Sequence, residues 1–279
     1  MQRPAPALDF NELPHTGGRC PAVVEILRLP VLRDNYVFLL VDSAGGRAAV
    51  VDPAVAEPVA AVLQQQDLEL AVVLQTHHHH DHIGGTAELL ARWPQVEVWA
   101  AASDRARIPL QTRGLAGGDR LVLWGRSVEV LAIPGHTRDH IAYYLPAAGA
   151  DGPELFCGDT LFAGGCGRIF EGTAAQMLAS LELLAALPAA TRVWCAHEYT
   201  EANLRFAITQ EPENQELLER LKRVVKQRAD GEATIPSTIG IEHATNPFLR
   251  CRQPALQAVT GATEAADVLA EIRRRKDVF

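Results

Sequence analysis

The organisation of this chain is decided by the stretch Leu74-Gln-Thr-His-His-His-His-Asp-His-Ile-Gly-Gly85. An apolar, β-branched run, Ala71 to Leu74, precedes the histidines, which is typical of a buried strand that ends in a tight loop. The spacing H-x-H-x-D-H puts His77 and His79 on one face of an extended loop, because alternate residues of such a segment point the same way. Asp81 and His82 can then face a second ion. The stretch therefore predicts a dinuclear metal site.

One cluster of side chains cannot fill two coordination spheres, so we expect further ligands after other strands. Three more strand-like segments end next to a metal-competent side chain: residues 128–133 before His136, residues 154–157 before Asp159, and residues 191–196 before His197. The simplest assignment gives one metal to His77, His79 and His136 and the other to Asp81, His82 and His197, with Asp159 bridging both. Zinc is the expected metal, although iron and manganese accept the same imidazole and carboxylate ligands.

Other interpretations of the histidine run stay open at this point. A tag remnant or a metal-scavenging tract is one, but this run is internal and continues into Asp-His-Ile-Gly-Gly. A structural site for a single metal is another, but such sites favour cysteine shells, and no cysteine pair here has that spacing. His78 and His80 should point away from the first metal and pack. Asp52 could hydrogen-bond a ligating imidazole, and His140 could assist the site or simply pack.

The pattern of the whole chain predicts an α/β protein with four layers. Two clusters of strands, each with helices on its outer face, give an αββα sandwich whose strand-end loops share one edge. Beyond His197 the sequence shows three polar-rich helical patterns and no strand cluster, which indicates a C-terminal helical domain. We therefore divide the chain into a Pro-rich N-terminal extension (1–21), a catalytic domain (22–197) and a helical domain (198–279).

The composition disfavours several classes of partner. The 279 residues carry a formal net charge of −8, which would repel nucleic acid and anionic membranes. No apolar stretch approaches the roughly 20 residues that a membrane-spanning helix needs, and residues 1–20 lack the apolar core of a signal peptide. The five cysteines are widely spaced, which argues against a disulfide framework and for a reducing compartment. We expect a cytoplasmic monomer that acts on a small molecule.

Several motifs resemble those of a known family. Four of them resemble the metallo-β-lactamase superfamily: Thr76-His77-His-His79-His-Asp81-His82, Gly135-His136-Thr137, Gly158-Asp159-Thr160-Leu161-Phe162 and Ala196-His197-Glu198-Tyr199. Three others are similar to segments of the glyoxalase II enzymes, the hydroxyacylglutathione hydrolases: Gly164-Gly-Cys-Gly-Arg168, Asn246-Pro-Phe-Leu-Arg250 and Arg273-Arg-Arg-Lys276-Asp277-Val-Phe279. The resemblance extends from about Val23 to the last residue and implies the metallo-β-lactamase sandwich.

The resemblance also implies a substrate and the residues that bind it. Glyoxalase II hydrolyses thioesters of S-(2-hydroxyacyl)glutathione, typically S-D-lactoylglutathione, to glutathione and D-lactate, which is the second step of methylglyoxal detoxification. By analogy, Arg168 and Tyr199 contact the glutathione backbone, and Arg273 and Lys276 hold its glycine carboxylate. Phe170 stands where some members have tyrosine, so we expect one hydrogen bond to the peptide to be missing.

Two adjacent cations suit thioester hydrolysis. They can share a water, lower its pKa toward neutrality and so generate a metal-bridging hydroxide as the nucleophile, which Asp81 and Asp159 help to orient. A thiolate leaving group, with a pKa of about 8.5, needs no strong general acid. The competing reaction class is a glutathione persulfide dioxygenase with mononuclear iron, which the basic C-terminal ending disfavours. A non-catalytic binding module is a third possibility, but all seven ligands are present.

Overall fold

The structure is a computed structural model that describes residues 24–149 and 151–279. Three sequence features lie outside the described residues: the predicted N-terminal extension (1–21), Cys20, and Val23 as the predicted start of the first strand. Within the described ranges, no helix is both long and apolar enough to cross a bilayer. Two β-sheets form the centre of the molecule, and helices cover them.

The first sheet has six strands in sequential order. They are β1 (Glu25–Val31), β2 (Asn35–Asp42), β3 (Arg47–Val51), β4 (Glu69–Leu74), β5 (Glu97–Ala101) and β6 (Arg113–Leu115). Strands β1 to β3 are antiparallel, whereas β3 to β6 are parallel. Parallel neighbours need crossover connections, and these contain α1 (Glu57–Gln65), the single turn α2 (His80–Ile83), α3 (Thr86–Arg92) and a 3₁₀ turn (Ala102–Asp104).

The second sheet has the order β7-β8-β9-β10-β13-β14. Its strands are β7 (Arg120–Leu123), β8 (Arg126–Ala132), β9 (Ile141–Leu145), β10 (Glu154–Gly158), β13 (Arg192–Cys195) and β14 (Ser237–Thr238), and a separate hairpin pairs β11 (Leu161–Phe162) with β12 (Gly165–Cys166). Only the β10–β13 pair is parallel within this sheet. Strand β9 was not predicted, because all five of its residues are buried and the strand shows no alternation of apolar and polar residues.

The main core lies between the two sheets. Strand β2 is buried along its whole length, since both of its faces are covered. Phe38 points into the space between the sheets, where its ring centre lies 5.7 Å from that of Phe156 and 5.5 Å from that of Trp194. The opposite face of the first sheet packs against Leu63 of α1 and Leu89 of α3. Each such side chain contributes about 1.5–3 kcal/mol by burial.

The helix α4 (Ala174–Ala185) supplies the outer layer of the second sheet. It begins with a capping box, in which the Thr173 hydroxyl accepts from the Gln176 amide and the Gln176 side chain accepts from the Thr173 amide. Its apolar stripe is buried at Met177, Leu181 and Leu184. The predicted αββα sandwich is therefore confirmed.

The rest of the chain is helical. It contains α5 (Thr200–Gln210), α6 (Gln215–Ala229), α7 (Ile239–Thr245), a 3₁₀ turn (Pro247–Leu249), α8 (Pro254–Thr260) and α9 (Ala265–Asp277). The three helices predicted there correspond to α5, α6 and α9. The short α7 and α8 were not predicted, and β14 adds a two-residue edge to the second sheet.

Candidate metal centre and substrate cleft

Four strands deliver the predicted metal ligands to one edge of the sandwich. The histidine-rich loop follows β4, His136 follows β8, Asp159 directly follows β10, and His197 follows β13. Three groups of side chains that could hold a metal form there: His77, His79 and His136; Asp81, His82 and His197; and a buried group of Asp52, His77 and His82 that shares a histidine with each of the other two. The first two are the triads described below. These are the two triads that the sequence predicts.

In the first triad, three imidazole nitrogens lie close together. Nδ1 of His79 lies 3.0 Å from Nε2 of His77 and 3.0 Å from Nε2 of His136. Ligand atoms around a tetrahedral zinc ion bonded at ~2.0–2.1 Å lie ~3.3 Å apart. The three nitrogens are therefore spaced as one face of a metal coordination shell.

The second triad has a similar spacing and includes a carboxylate. Oδ2 of Asp81 lies 3.7 Å from Nε2 of His82 and 3.6 Å from Nε2 of His197. The Asp81 carboxylate is held by the Asn35 side-chain amide, which donates to Oδ2 at 3.0 Å. This triad therefore carries negative charge that a cation can neutralise.

Asp159 lies between the triads. Its Oδ1 is 3.4 Å from Nε2 of both His82 and His197, and its Oδ2 is 3.5 Å from Nε2 of His136. Nε2 of His82 and Oδ1 of Asp159 are both buried without a hydrogen-bond partner among the described residues. Orphaned buried polar atoms are rare in proteins, and a cation between them would satisfy both. The donor set and its spacing thus fit metal binding.

Hydrogen bonds at the far ring nitrogens orient four of the imidazoles. Nδ1 of His82 donates to Asp52 at 3.0 Å, and Nδ1 of His197 donates to Asp34 at 2.9 Å. Nδ1 of His136 lies 2.8 Å from the Arg168 carbonyl, and Nδ1 of His77 lies 3.0 Å from the Thr76 hydroxyl. With the proton placed on Nδ1, each ring directs the lone pair of Nε2 into the site, which is how protein metal ligands are usually oriented.

Asp52 thus contacts His82, one of the predicted metal ligands. Asp52 also accepts from the backbone amide and the hydroxyl of Thr76, at 2.8 and 2.7 Å. It does so from a left-handed backbone conformation, with φ of 49°, and such residues tend to cluster at functional sites. One carboxylate therefore fixes both His82 and the start of the histidine-rich loop.

His140 supports the bridging carboxylate from behind. Its Nδ1 lies 3.1 Å from the Ile141 carbonyl, and its Nε2 accepts from the backbone amide of Asp159 at 3.2 Å. The ring also stacks on that of His77, with 4.5 Å between ring centres. Burial, with the nearby His136, lowers the pKa of His140 well below its usual range, so the ring is neutral and can accept from Asp159. These contacts fit both of the roles left open for His140, packing against His77 and support of Asp159.

The two triads differ electrostatically. Burial and the neighbouring imidazoles lower the pKa of His77 well below its usual range and that of His79 to about 4, so both rings are neutral and able to bind a metal. In the second triad burial acts the same way, but the Asp159 carboxylate overrides it and raises the pKa of His82 and His197. The second triad therefore attracts a positive charge more strongly than the first.

The two other histidines of the run do not join either triad. Nδ1 of His78 lies 3.2 Å from Asp104, and its Nε2 lies 3.7 Å from Glu171, on the outer side of the loop. His80 is the first residue of α2. Both positions agree with the prediction that these side chains point away from the first metal.

A cleft of about 480 Å³ opens beside His136 and Asp159. All four residues predicted to bind substrate line it: Arg168, Tyr199, Arg273 and Lys276. The Tyr199 ring stacks on that of His197 with 4.8 Å between ring centres. The Phe170 ring, which is 61% exposed, contacts His136 with 5.2 Å between ring centres. The cleft therefore joins a cationic wall to the metal centre.

Comparison with known proteins identifies the family. Residues 31–197 match the metallo-beta-lactamase superfamily, and residues 198–279 match the family described as hydroxyacylglutathione hydrolase C-terminus. A hydroxyacylglutathione hydrolase from Synechococcus sp. (strain JA-3-3Ab) is 55% identical over 256 residues, which are 92% of this chain and 100% of that protein. The chain belongs to the hydroxyacylglutathione hydrolases of the metallo-β-lactamase superfamily. A second relative of that name, from Synechococcus sp. (strain ATCC 27144), is 57% identical over 90% of this chain and 98% of its own.

Solved structures agree with this assignment to the superfamily. The structure of ETHE1 from Myxococcus xanthus superposes with a TM-score of 0.60 at 26% identity, covering 90% of this chain and 89% of its own. That of TTHA1623, in a di-iron-bound form, gives a TM-score of 0.54 at 27% identity, with 81% and 100% covered. Family membership and the His/Asp site together make this chain a hydroxyacylglutathione hydrolase homologue that binds divalent metal.

Two residues that contact the second triad were not predicted. They are Asp34, bonded to His197, and Asn35, which bonds Asp81 and lies 3.5 Å from Nε2 of His197. Asp34 directly precedes β2 and Asn35 is its first residue, whereas the predicted residues follow strands. The available signal was a polar pair ahead of the apolar run 36–41, but that pattern does not show which residues the pair contacts.

The basic residues at the C-terminal end of α9, Arg273 and Lys276, are more buried than expected, and Arg273 is already hydrogen-bonded within the protein. Arg273 is only 6% exposed, and its guanidinium donates to the Cys166 carbonyl at 2.8 Å and to Asp277 at 3.0 Å. Its Nε is buried without a partner among the described residues. Burial and the nearby Arg273 lower the pKa of Lys276 to about 8. Both side chains therefore line the cleft while being partly removed from water. An anionic group bound next to them in the cleft would be favourable.

Proposed function

We propose that this chain hydrolyses the thioester of S-(2-hydroxyacyl)glutathione, typically S-D-lactoylglutathione, to glutathione and a 2-hydroxy acid such as D-lactate. The reaction would be the second step of methylglyoxal detoxification. The observation that carries the proposal is that two ligand triads share one buried carboxylate at the end of a cleft lined by Arg168, Arg273 and Lys276. Relatives of 52–57% identity that carry the hydrolase name support it.

We propose two divalent ions, with zinc as the expected metal and iron or manganese as alternatives. One would be held by His77, His79 and His136 and the other by Asp81, His82 and His197, with Asp159 in contact with both. When bound, the ions acidify a water molecule and polarise the thioester carbonyl. The neutral imidazoles of the first triad support this assignment, because they can bind a cation directly. In the second triad the Asp81 carboxylate and the neighbouring Asp159 favour a positive charge, which a metal ion could supply in place of protons on His82 and His197.

The chain's own residues orient the reacting groups. The Asp81 side chain is 42% exposed within the site and anchored by Asn35, so it can accept a hydrogen bond from the attacking water. Asp159, held at its backbone by His140, can do the same from the opposite side. No general acid is required, because the glutathione thiol leaves as a thiolate with a pKa of about 8.5. Burial raises the pKa of Cys166 to about 11, which excludes this thiol as a nucleophile near neutral pH.

We propose that the glutathione peptide lies along the cationic wall of the cleft. Arg168 is 63% exposed in its side chain and can turn toward the peptide, and the Tyr199 hydroxyl can bond the peptide from the opposite wall. Arg273 and Lys276 would hold the glycine carboxylate at the far end. Phe170 offers the peptide only a ring face, so the hydrogen bond of a tyrosine is lost there. These contacts would place the thioester next to His136 and Asp159.

The glutathione persulfide dioxygenase is the less supported function. Residues 198–279 match the family described as hydroxyacylglutathione hydrolase C-terminus. The similarity to the two relatives that carry the hydrolase name covers 100% and 98% of their lengths. The two matches also support the proposed division of the chain between residues 197 and 198.

We further propose a cytoplasmic monomer. The free state of the four described cysteines, Cys157, Cys166, Cys195 and Cys251, supports a reducing compartment.

The test combines metal analysis with an assay of thiol release. Purified protein is expected to hold two metal equivalents and to cleave S-D-lactoylglutathione, and not to consume oxygen with glutathione persulfide. Protein that carries two metals and leaves the thioester intact would refute the proposal. Oxygen consumption would instead identify the dioxygenase.

A further inference from the structure

The loop between Asp159 and Arg168 is held by side chains from the helical region. It consists of residues 162–166, around the hairpin β11–β12, and all five of these residues are buried. Buried backbone groups need hydrogen-bond partners, and a two-stranded hairpin with two-residue strands cannot supply them all. Each of the five residues has a backbone group bonded to a side chain that lies after residue 200.

Asn246 and Glu242 make three of these contacts. The Asn246 amide donates to the carbonyls of Phe162 and Gly165 at 3.2 and 2.9 Å. The Glu242 carboxylate accepts from the Gly164 amide at 2.7 Å. Asn203 donates to the Ala163 carbonyl at 3.0 Å, and Arg273 donates to the Cys166 carbonyl at 2.8 Å.

The pair Glu242 and Asn246, which we call the clamp, is itself rigidly held. Glu242 is fully buried, accepts from the Asn246 amide at 3.0 Å, and pairs with the buried Arg220 guanidinium at 2.6 Å. Arg220 is fixed in turn by the Thr245 hydroxyl at 2.6 Å. A buried ion pair is a weak source of stability, but it specifies one arrangement when all its polar atoms are satisfied.

The loop that the clamp holds forms part of the substrate cleft. Phe162 and Cys166 line the cleft, and Asp159 and Arg168 stand at either end of the loop. Gly164 adopts a φ of 70°, and a Cβ atom there would lie 2.7 Å from a Leu204 side-chain carbon. The loop is therefore closely confined, and the polar contacts from α7 and the following turn hold it in position.

We propose that Glu242 and Asn246 are positioning residues that set the affinity of the cleft for the glutathione part of the substrate. They touch no substrate atom and act through the loop backbone. The inference assigns a role to the motif Asn246-Pro-Phe-Leu-Arg250 and rests on the proposed function for the identity of the ligand. It follows that loosening the clamp weakens binding of the peptide more than it slows the reaction of bound substrate.

The variant Asn246→Ser tests this proposal. Asn246 accepts from the Phe248 amide at 3.0 Å and caps the following 3₁₀ turn. Serine is an equally good cap, but its hydroxyl is too short to reach the carbonyls of the loop. We expect roughly a tenfold rise in KM for S-D-lactoylglutathione and in Kd for S-methylglutathione, the scale of one lost buried hydrogen bond, with kcat within about twofold.

Two further variants complete the experiment. Glu242→Gln keeps the shape of the clamp, removes its charge and should shift Kd in the same direction. Glu219→Gln is the matched control, because Glu219 lies in the same helical region and pairs only with Lys222, at 2.7 Å on the exposed surface of α6. It should leave KM and Kd unchanged. Hydrogen exchange of the folded clamp variants should be faster at residues 160–168 and unchanged in β10 and β13.

The outcomes separate this inference from the proposed function. A lower kcat at unchanged KM and Kd would mean only a smaller fraction of active protein, and would overturn the positioning role. So would failure of both clamp variants to fold, since the pair would then act on the fold alone. If the wild type does not cleave the thioester, the proposed function fails, but the Kd for S-methylglutathione still decides whether the clamp sets affinity.

Discussion

The variant Asp52→Asn should weaken metal binding although Asp52 belongs to neither triad. The Asp52 carboxylate accepts three hydrogen bonds, from the Thr76 amide, the Thr76 hydroxyl and Nδ1 of His82, at 2.8, 2.7 and 3.0 Å. An asparagine amide keeps the shape but turns one acceptor oxygen into a donor. Whichever way the amide turns, it faces a donor, so either His82 or the backbone at Thr76 loses its partner.

The size of the effect follows from these contacts. Loss of a hydrogen-bond partner behind a metal-ligating histidine typically costs 10–100-fold in metal affinity, which is about 1.4–2.7 kcal/mol. A buried donor left without a partner should also lower the free energy of unfolding of the metal-free protein by about 1–3 kcal/mol. Because His82 lies in the second triad, one of the two metal equivalents should weaken by this factor. The other should weaken less, because Asp52 reaches His77 of the first triad only through the Thr76 hydroxyl.

Competition with a chromophoric chelator measures both affinities. Asp42→Asn is the matched control, since Asp42 is a buried carboxylate of the same sheet that accepts from Arg47 and Gly45, at 2.9 and 3.1 Å, away from the site. It should lose stability and keep both metal affinities. An Asp52→Asn protein that binds two metals as tightly as the wild type would refute the argument that Asp52 orients His82.

Three further predictions concern the strand end, the cleft and its pH dependence. Gly158→Ala should lower the free energy of unfolding in urea by about 2–4 kcal/mol, because Gly158 has a φ of 48° and a Cβ there would lie 2.4 Å from the Thr76 hydroxyl. The affinity for S-methylglutathione, measured by calorimetry, should fall as the pH rises through about 8, where Lys276 loses its proton, and should stay flat in Lys276→Arg. Phe170→Tyr should lower KM by roughly two- to tenfold, and an unchanged KM would mean that the peptide does not pass over this ring.

The convergence of the two triads could be predicted because each of their residues depends on a local pattern. A strand fixes where its C-terminal residue lies, and alternation within the loop separates His77 and His79 from His78. Asp159 and His197 could be added by the same rule, since each follows an apolar run. To predict that the four strand ends converge, one had only to assume that they lie at the same edge of the sandwich. The two sheets are arranged in that way.

The supporting contacts could not be predicted, because they join residues far apart in sequence. Asp34 and His197 are separated by 163 positions, and Asn246 and Phe162 by 84. Neither pair leaves a periodic signal. Strand β9 was missed for a different reason, since a short continuous apolar run fits a buried strand and a helix segment equally well. The resemblance to a family named the cleft residues but did not predict that Arg273 is bonded to the loop.

We propose that the Asp159 carboxylate serves two metal ions and that both ions are needed for thioester cleavage. Metal content and thiol release, measured together on the wild type and on Asp159→Ala, decide this. The wild type should hold two equivalents and cleave S-D-lactoylglutathione, whereas the variant should hold one equivalent or none and lose turnover. A variant that keeps two tightly bound metals and cleaves the thioester at the wild-type rate would contradict the claim.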